Sequence, residues 1–340
     1  VGTLILLALV VAGWWFAESR RGDDAALVQF SGSTMGTTYT VKARQVPEGM
    51  TAADLQTEVD RILVDVNQQM STYDESSELS RFNQSQSTEW VKVSKALAQV
   101  VQRSLEISRL TDGAFDVTVG PLVNLWGFGP DLSEDQTPSD AELQAALDRV
   151  GHQQLEARLS PPALKKDRAD LYVDLSAIAK GFGVDEIVQY LESQGISHYL
   201  VEIGGELRGK GLNPQDVPWR IAIEEPNPGK RAVQQVVEIV DRGIATSGDY
   251  RNFFEINGQR YSHAINPRTG QPIRHQLASV TVVNESAMEA DAWATALLVL
   301  GPERGAAMAE KQNLAAFFIV INGSGLQEKP SPQFAQYLLD

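Results

Sequence analysis

"MEADAWATALLVLG", residues 288–301, stands between two strand-like runs, "ASVTVV" upstream and "AAFFIVI" downstream. Ser286 followed by Glu289 has the spacing of a capping box, which predicts a helix starting near Ala287. Trp293, Leu297, Leu298 and Leu300 give that helix a wide apolar face. Asp291 and Thr295 interrupt it. At i and i+4 they lie about 40° apart around the axis and share one side. Two readings fit. In one, the acid is solvated and the hydroxyl bonds back to a helix carbonyl. In the other, an anionic and a neutral oxygen ligand hold a hard cation such as Mg²⁺. The stretch alone favours the first reading, and the rest of the chain has to decide.

Working outward, residues 51–70 and 94–110 carry apolar residues at helical spacing, and Ser139 with Glu142 caps a short third helix. Residues 177–194 and 302–312 read as further helices. "TTYTVKAR" (37–44) and "DLYVDL" (170–175) alternate as strands do. So do "SHYLVEI", "WRIAIEE", "VQQVVEIV", "NFFEI" and "RYSHAI", and Asn257–Gly258 marks a hairpin. "PDLSEDQTPSD" (130–140) reads as a surface loop. Helices early, then strands and helices mixed, predict an α+β fold rather than a regular βαβ alternation.

The chain has 340 residues and a net charge of −15, which argues against a nucleic-acid partner, because phosphate neutralisation needs a basic surface. It has no cysteine, and so no disulfide, thiolate nucleophile or cysteine-ligated zinc. The four histidines are scattered at 152, 198, 263 and 275, a poor pattern for a His-based metal site. Gly-x-Ser-x-Gly is absent, so a serine-hydrolase elbow has no support. Residues 1–17 are apolar and uncharged, near the short end for a membrane span, with Trp14–Trp15 suited to an interface. They are expected to be a signal sequence or a membrane anchor helix. Residues 18–26 would be a linker, and 27–340 a single folded unit.

Several segments combine glycine, acid and hydroxyl in ways a core does not require. "TDGAFDVTVGPLVNLWGFG" (111–129) reads as a turn plus a buried strand if it is only structural. "VDLSAIAKGFGVDEI" (173–187) sets Lys180 and two glycines at a strand-to-helix junction, where free helix N–H groups can meet an anion. "VEIGGELRGKG" (201–211) places paired glycines directly after a strand. Residues 243–273 gather Thr246, Ser247, Asp249, His263, Asn266 and Arg268. His263 falls on a predicted strand, and a lone histidine is more often structural than functional. In "MSTYDESSELSRFN" (70–83), Tyr73 could stack on a ring or cover a helix end.

Taken in order, "STMGTTYTV", "MSTYDESSELSRFN", "TDGAFDVTVGPLVNLWGFG", "VDLSAIAKGFGVD", "EIGGELRGKG", "ATSGDYRNFF", "YSHAINPRTGQPI" and "MEADAWATALLVLG" resemble the ApbE family, the FAD:protein FMN transferases. The resemblance spans roughly residues 33–301. It implies an ApbE-like catalytic domain of mixed sheets and helices that takes FAD as substrate with Mg²⁺. The family's reaction attaches FMN to a Thr or Ser hydroxyl of an acceptor protein and releases AMP. Carried over, the metal ligands would be Asp291, Thr295, a backbone oxygen at Ala177 and a carbonyl at Ala294. FAD contacts would be Met35, Tyr73, Ala114, Phe115, Asp116, Asp174, Lys180 and Ile265, with His263 or Asp291 as the catalytic base. The resemblance also implies a bacterial inner-membrane protein whose catalytic domain faces the periplasm. Many relatives carry a lipoprotein cysteine; this chain has none, so a retained apolar helix is the expected tether. With the resemblance in hand, Asp291 and Thr295 pass from helix decoration to expected metal ligands. Two competing expectations use the same site: FAD hydrolysis by water to FMN and AMP, and FAD binding without turnover.

Overall fold

A computed structural model describes residues 27–129, 137–227, 229, 232–250, 253–256, 259–323 and 325–339. The expected N-terminal helix and linker, and residues 130–136 of the expected surface loop, lie outside the described residues. Among the described residues, no helix is long and apolar enough to cross a membrane.

The framework is an eight-stranded sheet in the order β1-β2-β6-β7-β10-β13-β14-β15, with every neighbouring pair antiparallel. These strands are β1 (Val28–Thr34), β2 (Thr37–Arg44), β6 (His198–Ile203), β7 (Glu206–Lys210), β10 (Arg242–Gly248), β13 (Leu277–Asn284), β14 (Ala315–Asn322) and β15 (Gly325–Pro330). Smaller sheets join β3 (Val91–Lys92), β5 (Pro162–Lys166) and β4 (Leu155–Leu159), β8 (Trp219–Glu224) with β9 (Val233–Ile239), and β11 (Phe253–Ile256) with β12 (Gln259–Ser262). The helices are α1 (Ala52–Met70), α2 (Glu78–Gln84), α3 (Lys95–Leu110), α4 (Gly120–Leu125), α5 (Asp140–Leu147), α6 (Ala179–Ser193) and α7 (Ala287–Lys311). This is the α+β architecture that the order of elements predicts.

Period-two alternation sorts the central strands between two cores. Ala245, Val280, Val282, Ala316 and Phe318 face α3 and α7, whose Leu97, Val101, Ala290, Leu297 and Leu298 complete that layer. Ile244, Val283, Phe317 and Ile319 face the other way, onto Trp219, Ile221 and Ile223 of β8. Covered on both faces, β13 is buried along nearly its whole length. At the far end of the sheet α1 and α6 cover Tyr39, Val41, Tyr199 and Val201.

Three local readings change. "DLYVDL" is extended but joins no sheet, because the Asn83 side chain serves as its partner. Asn83 donates to the Val173 carbonyl (2.9 Å) and accepts from the Val173 N–H (2.8 Å). A side chain satisfies the backbone that an alternating pattern assigns to a strand neighbour. "TDGAFDVTVGPL" is a turn followed by the short helix α4, with no strand. His263 lies just past the end of β12 rather than on it. The two helices read from the sequence at this end of the chain do hold: α7 (Ala287–Lys311) is broken at Gly301 (φ 81°) and Pro302, where the sequence divides them.

Candidate active site

A cavity of about 380 Å³ opens between the end of β10, the start of α6 and the first turns of α7. Tyr73, Ala114, Phe115, Asp116, Asp174, Ala177, Lys180, His263, Ile265, Asp291 and Thr295 all line it, as does Glu206. Met35 lines an adjoining cavity of about 670 Å³, and Tyr73, Ser176 and Lys180 belong to both. Residues from six separate segments thus meet at one place. Ala294 does not: it is fully buried in the core and lines neither cavity.

Asp291 is 3 % exposed, and its Oδ2 accepts from the Gly181 N–H in the first turn of α6 (3.1 Å). Burial raises its carboxyl, against the pull of Lys180 and of the Gly181 N–H. One turn further along α7, the Thr295 hydroxyl meets the Ser247 hydroxyl of β10 at 3.1 Å. It therefore points across to the sheet, away from its own helix backbone. The Glu206 carboxylate sits 2.7 Å from the Lys180 ammonium. Burial, and then the charge of Asp291, push Glu206 up to about 8, while Lys180 pulls it down. Burial alone would lower Lys180, but Asp291 and Glu206 outweigh it and hold the ammonium charged. Two buried acids share one base, and burial pushes both toward their neutral forms, whereas a cation would favour the charged forms. Among the described residues, no three His, Asp or Glu side chains cluster as a metal cage. An ion here would take the Asp291 carboxylate, the Thr295 hydroxyl and the Ala177 backbone oxygen, and draw its other ligands from substrate or water. That mixed oxygen set suits Mg²⁺.

The supporting loops are fixed by their own side chains. The Asp116 carboxylate is spent inside the protein. It accepts from the Thr118 N–H (2.8 Å) and hydroxyl (2.7 Å) and from the His152 N–H (2.8 Å), so residues 114–116 offer a ligand mainly backbone. The Asp174 N–H donates to the Val117 carbonyl (2.7 Å), tying that loop to the approach of α6. Tyr73 is 69 % exposed at the meeting of the two cavities. Its loop is locked: the Ser71 hydroxyl accepts from the N–H groups of Tyr73 (3.1 Å) and Asp74 (3.2 Å). Met35 occupies the first position of a two-residue turn between β1 and β2, with φ 48° at Met35 and 71° at Gly36. A non-glycine residue rarely takes that conformation, and such outliers gather at binding sites. A Cβ at Gly183 would lie 3.1 Å from the Met35 Cε, so this glycine makes room for the methionine. Gly181 permits the close approach of α6 to α7, since a Cβ there would lie 2.3 Å from the Ala287 carbonyl oxygen.

Sequence reading missed four residues that build this site: Glu206, Asp185, His152 and Asn83. Of these only Glu206 left a trace, as the acid directly after Gly204–Gly205. Asp185 on α6 caps α7, accepting from the Ser286 hydroxyl (2.6 Å) and the N–H groups of Ala287 (3.1 Å) and Met288 (3.0 Å). The expected capping box is only half formed. Ser286 accepts from the Glu289 N–H, but the Glu289 carboxylate turns away to Arg103.

The chain is similar to known proteins over most of its length. A family model described as "ApbE family" matches residues 35–318. The FAD:protein FMN transferase of Vibrio cholerae is 52% identical over 316 residues, covering 92% of this chain and 93% of that protein. The FAD:protein FMN transferase of Escherichia coli K12 is 44% identical, covering 98% and 97%. A solved structure of the flavin transferase ApbE from Vibrio cholerae superposes with a TM-score of 0.86 at 51% identity, covering 92% of this chain and 99% of that one.

Proposed function

The chain belongs to the ApbE family, and on that premise we propose that it is an FAD:protein FMN transferase using Mg²⁺, a Ser or Thr acceptor hydroxyl and release of AMP. The observation that carries this reading is Asp291. Its carboxylate is sealed in the wall of a cavity, with a hydroxyl one turn away and a charged lysine opposite. A carboxylate buried at such cost, and not fully used by the protein, is suited to a cation that arrives with a phosphate substrate. The two joined cavities suit a molecule with two ring systems linked by a diphosphate, and FAD is one. Tyr73, exposed where they meet, offers a face for ring stacking.

In this reaction the acceptor oxygen attacks the phosphorus on the FMN side. The bond from that phosphorus to the bridging oxygen breaks, AMP leaves with the bridge oxygen, and FMN is joined to the protein as a phosphoester. A cation held by Asp291, Thr295 and the Ala177 backbone oxygen would draw charge from the diphosphate as its bridge breaks. Lys180 adds a second positive charge on the phosphates. His263, at the cavity wall, takes the acceptor proton. Asp291, engaged with Gly181 and given to the cation, is the poorer base. The locked 71–77 and 114–118 loops hold the substrate without rearranging.

The test is the intact mass of an acceptor protein incubated with the enzyme, FAD and Mg²⁺. One added FMN per acceptor, with AMP in solution, is expected. FMN and AMP with no mass gain would make the protein a pyrophosphohydrolase, and intact bound FAD a binding protein. We also propose, on the apolar run of residues 1–17, that the catalytic unit is tethered to the inner membrane and works in the periplasm.

A further inference from the structure

We propose that the acceptor enters as an extended segment that adds a strand to the open edge of β10, a placement that rests on the transfer activity proposed above. The opening is in the middle of the main sheet. On one flank β10 pairs with β13 from Gly243 to Gly248. On the other it pairs with β7 only at Arg242, Gly243 and Ile244. β7 begins only at Glu206, and before it Gly204 (φ 57°) and Gly205 (φ 105°) turn the chain away. Among the described residues, 245–248 therefore have no strand partner on that side.

The backbone there points outward. The Asp249 N–H donates to the Ala278 carbonyl on the β13 side (3.2 Å). Peptide groups alternate along a strand, so those of Thr246 and Gly248 face the open side. A groove of about 470 Å³ runs along this edge. Its apolar lining is Leu207, Ile221, Ile223 and Ile244. Its other bank is β8, which pairs only with β9 among the described residues. The unpaired edge of β10 beside this groove fits an extended chain, whose N–H and C=O groups it would satisfy. Four open residues offer about 13 Å of edge, enough for a short segment.

Position names the occupant. Thr246 and Gly248 line both this groove and the catalytic cavity. Ser247 between them touches Thr295. A strand laid beside β10 would lie about 4.8 Å from it. Its side chains would pass directly over the rim of the FAD cavity, where the acceptor hydroxyl has to arrive. The chain meets FAD on one side of β10 and its protein substrate on the other.

The test uses the full-length enzyme with FAD, Mg²⁺ and a library of peptides of about eight residues, randomised around a fixed central threonine. The best substrate is then remade with single N-methyl groups at each backbone position. Transfer is expected to fall about tenfold or more at alternate positions and to hold at those between, a period set by strand pairing. Loss without that period overturns the proposal. In parallel, Ala222→Trp fills the groove from an exposed position on β8 outside the catalytic cavity. It should raise the peptide KM about tenfold while kcat and flavin binding stay within about twofold. An unchanged KM in that variant also overturns the proposal. Failure of the transfer reading looks different: the wild type would release FMN and AMP and modify no peptide.

Discussion

The helices α6 and α7 meet at their beginnings, where each lends an aspartate to the other, and the two loans differ in kind. Asp185 of α6 takes three hydrogen bonds from the start of α7 and pairs with Arg208 at 2.7 Å. Asp291 of α7 accepts from Gly181 in the first turn of α6, and Ile178 at that end supplies no side-chain cap. The first helix start is closed by the protein, and its anion is satisfied. The second is left open onto a cavity, with an anion that burial disfavours. Satisfied polar groups stabilise a fold, whereas a polar group held short of partners marks a place where a ligand completes the set. The two aspartates should therefore respond to mutation in opposite ways.

Asp291→Ala should show the largest effect. Transfer should drop by about a thousandfold or more, the several kcal/mol that a bound cation contributes to a breaking diphosphate. Stability in urea should hold or rise, because a buried carboxylate with a raised pKa is removed. Near-normal turnover in this variant would remove the open start of α6 from the chemistry. Next comes the pH response of its neighbour Glu206. Its folded pKa is raised to about 8, so the folded state binds the proton more tightly than the unfolded chain does. The stability this provides is fully present below the ordinary glutamate range, near pH 4.5, and is lost as pH rises toward about 8. Unfolding midpoints measured with a chelator present should decline across that window, and Glu206→Gln should flatten the decline. An identical slope in the variant would show that other groups set it.

Asp185→Ala should do the reverse of Asp291→Ala. It removes the cap of α7 and leaves Arg208 without its partner, a loss of about 2–4 kcal/mol. Denaturant unfolding measures this, and transfer by the fraction still folded should remain near normal. Strong loss of activity without loss of stability would mean that the closed helix start also has a chemical role.

What the sequence disclosed follows the same division. That Asp291 and Thr295 share one side of a helix was legible because i and i+4 is local information, as are the strands that alternate; their role as ligands came only with the family resemblance. The family resemblance named Tyr73, Asp174, Lys180 and His263 as site residues, and the structure brings them to one cavity. Asp185 was not legible, since nothing local ties it to Ser286, 101 positions away. Nor was the Asn83 side chain that replaces a strand neighbour for Val173, 90 positions off. "DLYVDL" shows the limit of alternation: it reports an extended chain with one buried side and says nothing of what pairs with it. β10 escaped notice because "RGIATSG" mixes glycines and hydroxyls, residues chosen for the cavity and the close approach of α7 more than for strand propensity. Where chemistry dictates composition, the pattern that announces a strand fades.

Tyr73 offers the smallest and cleanest test of the open side. It is mostly exposed and lies outside the apolar cores, so Tyr73→Ala should leave the unfolding midpoint within about 0.5 kcal/mol. A ring stacked on a flavin or adenine contributes about 1–1.5 kcal/mol, so FAD affinity in the same variant should fall roughly five- to tenfold. Tyr73→Phe keeps the face and loses only the hydroxyl, so it should bind FAD like the wild type. If Phe binds as weakly as Ala, the contact is made by the phenol oxygen rather than the ring. Flavin fluorescence titration distinguishes the two outcomes, and with them whether the open end of α6 is roofed by stacking or by a hydrogen bond.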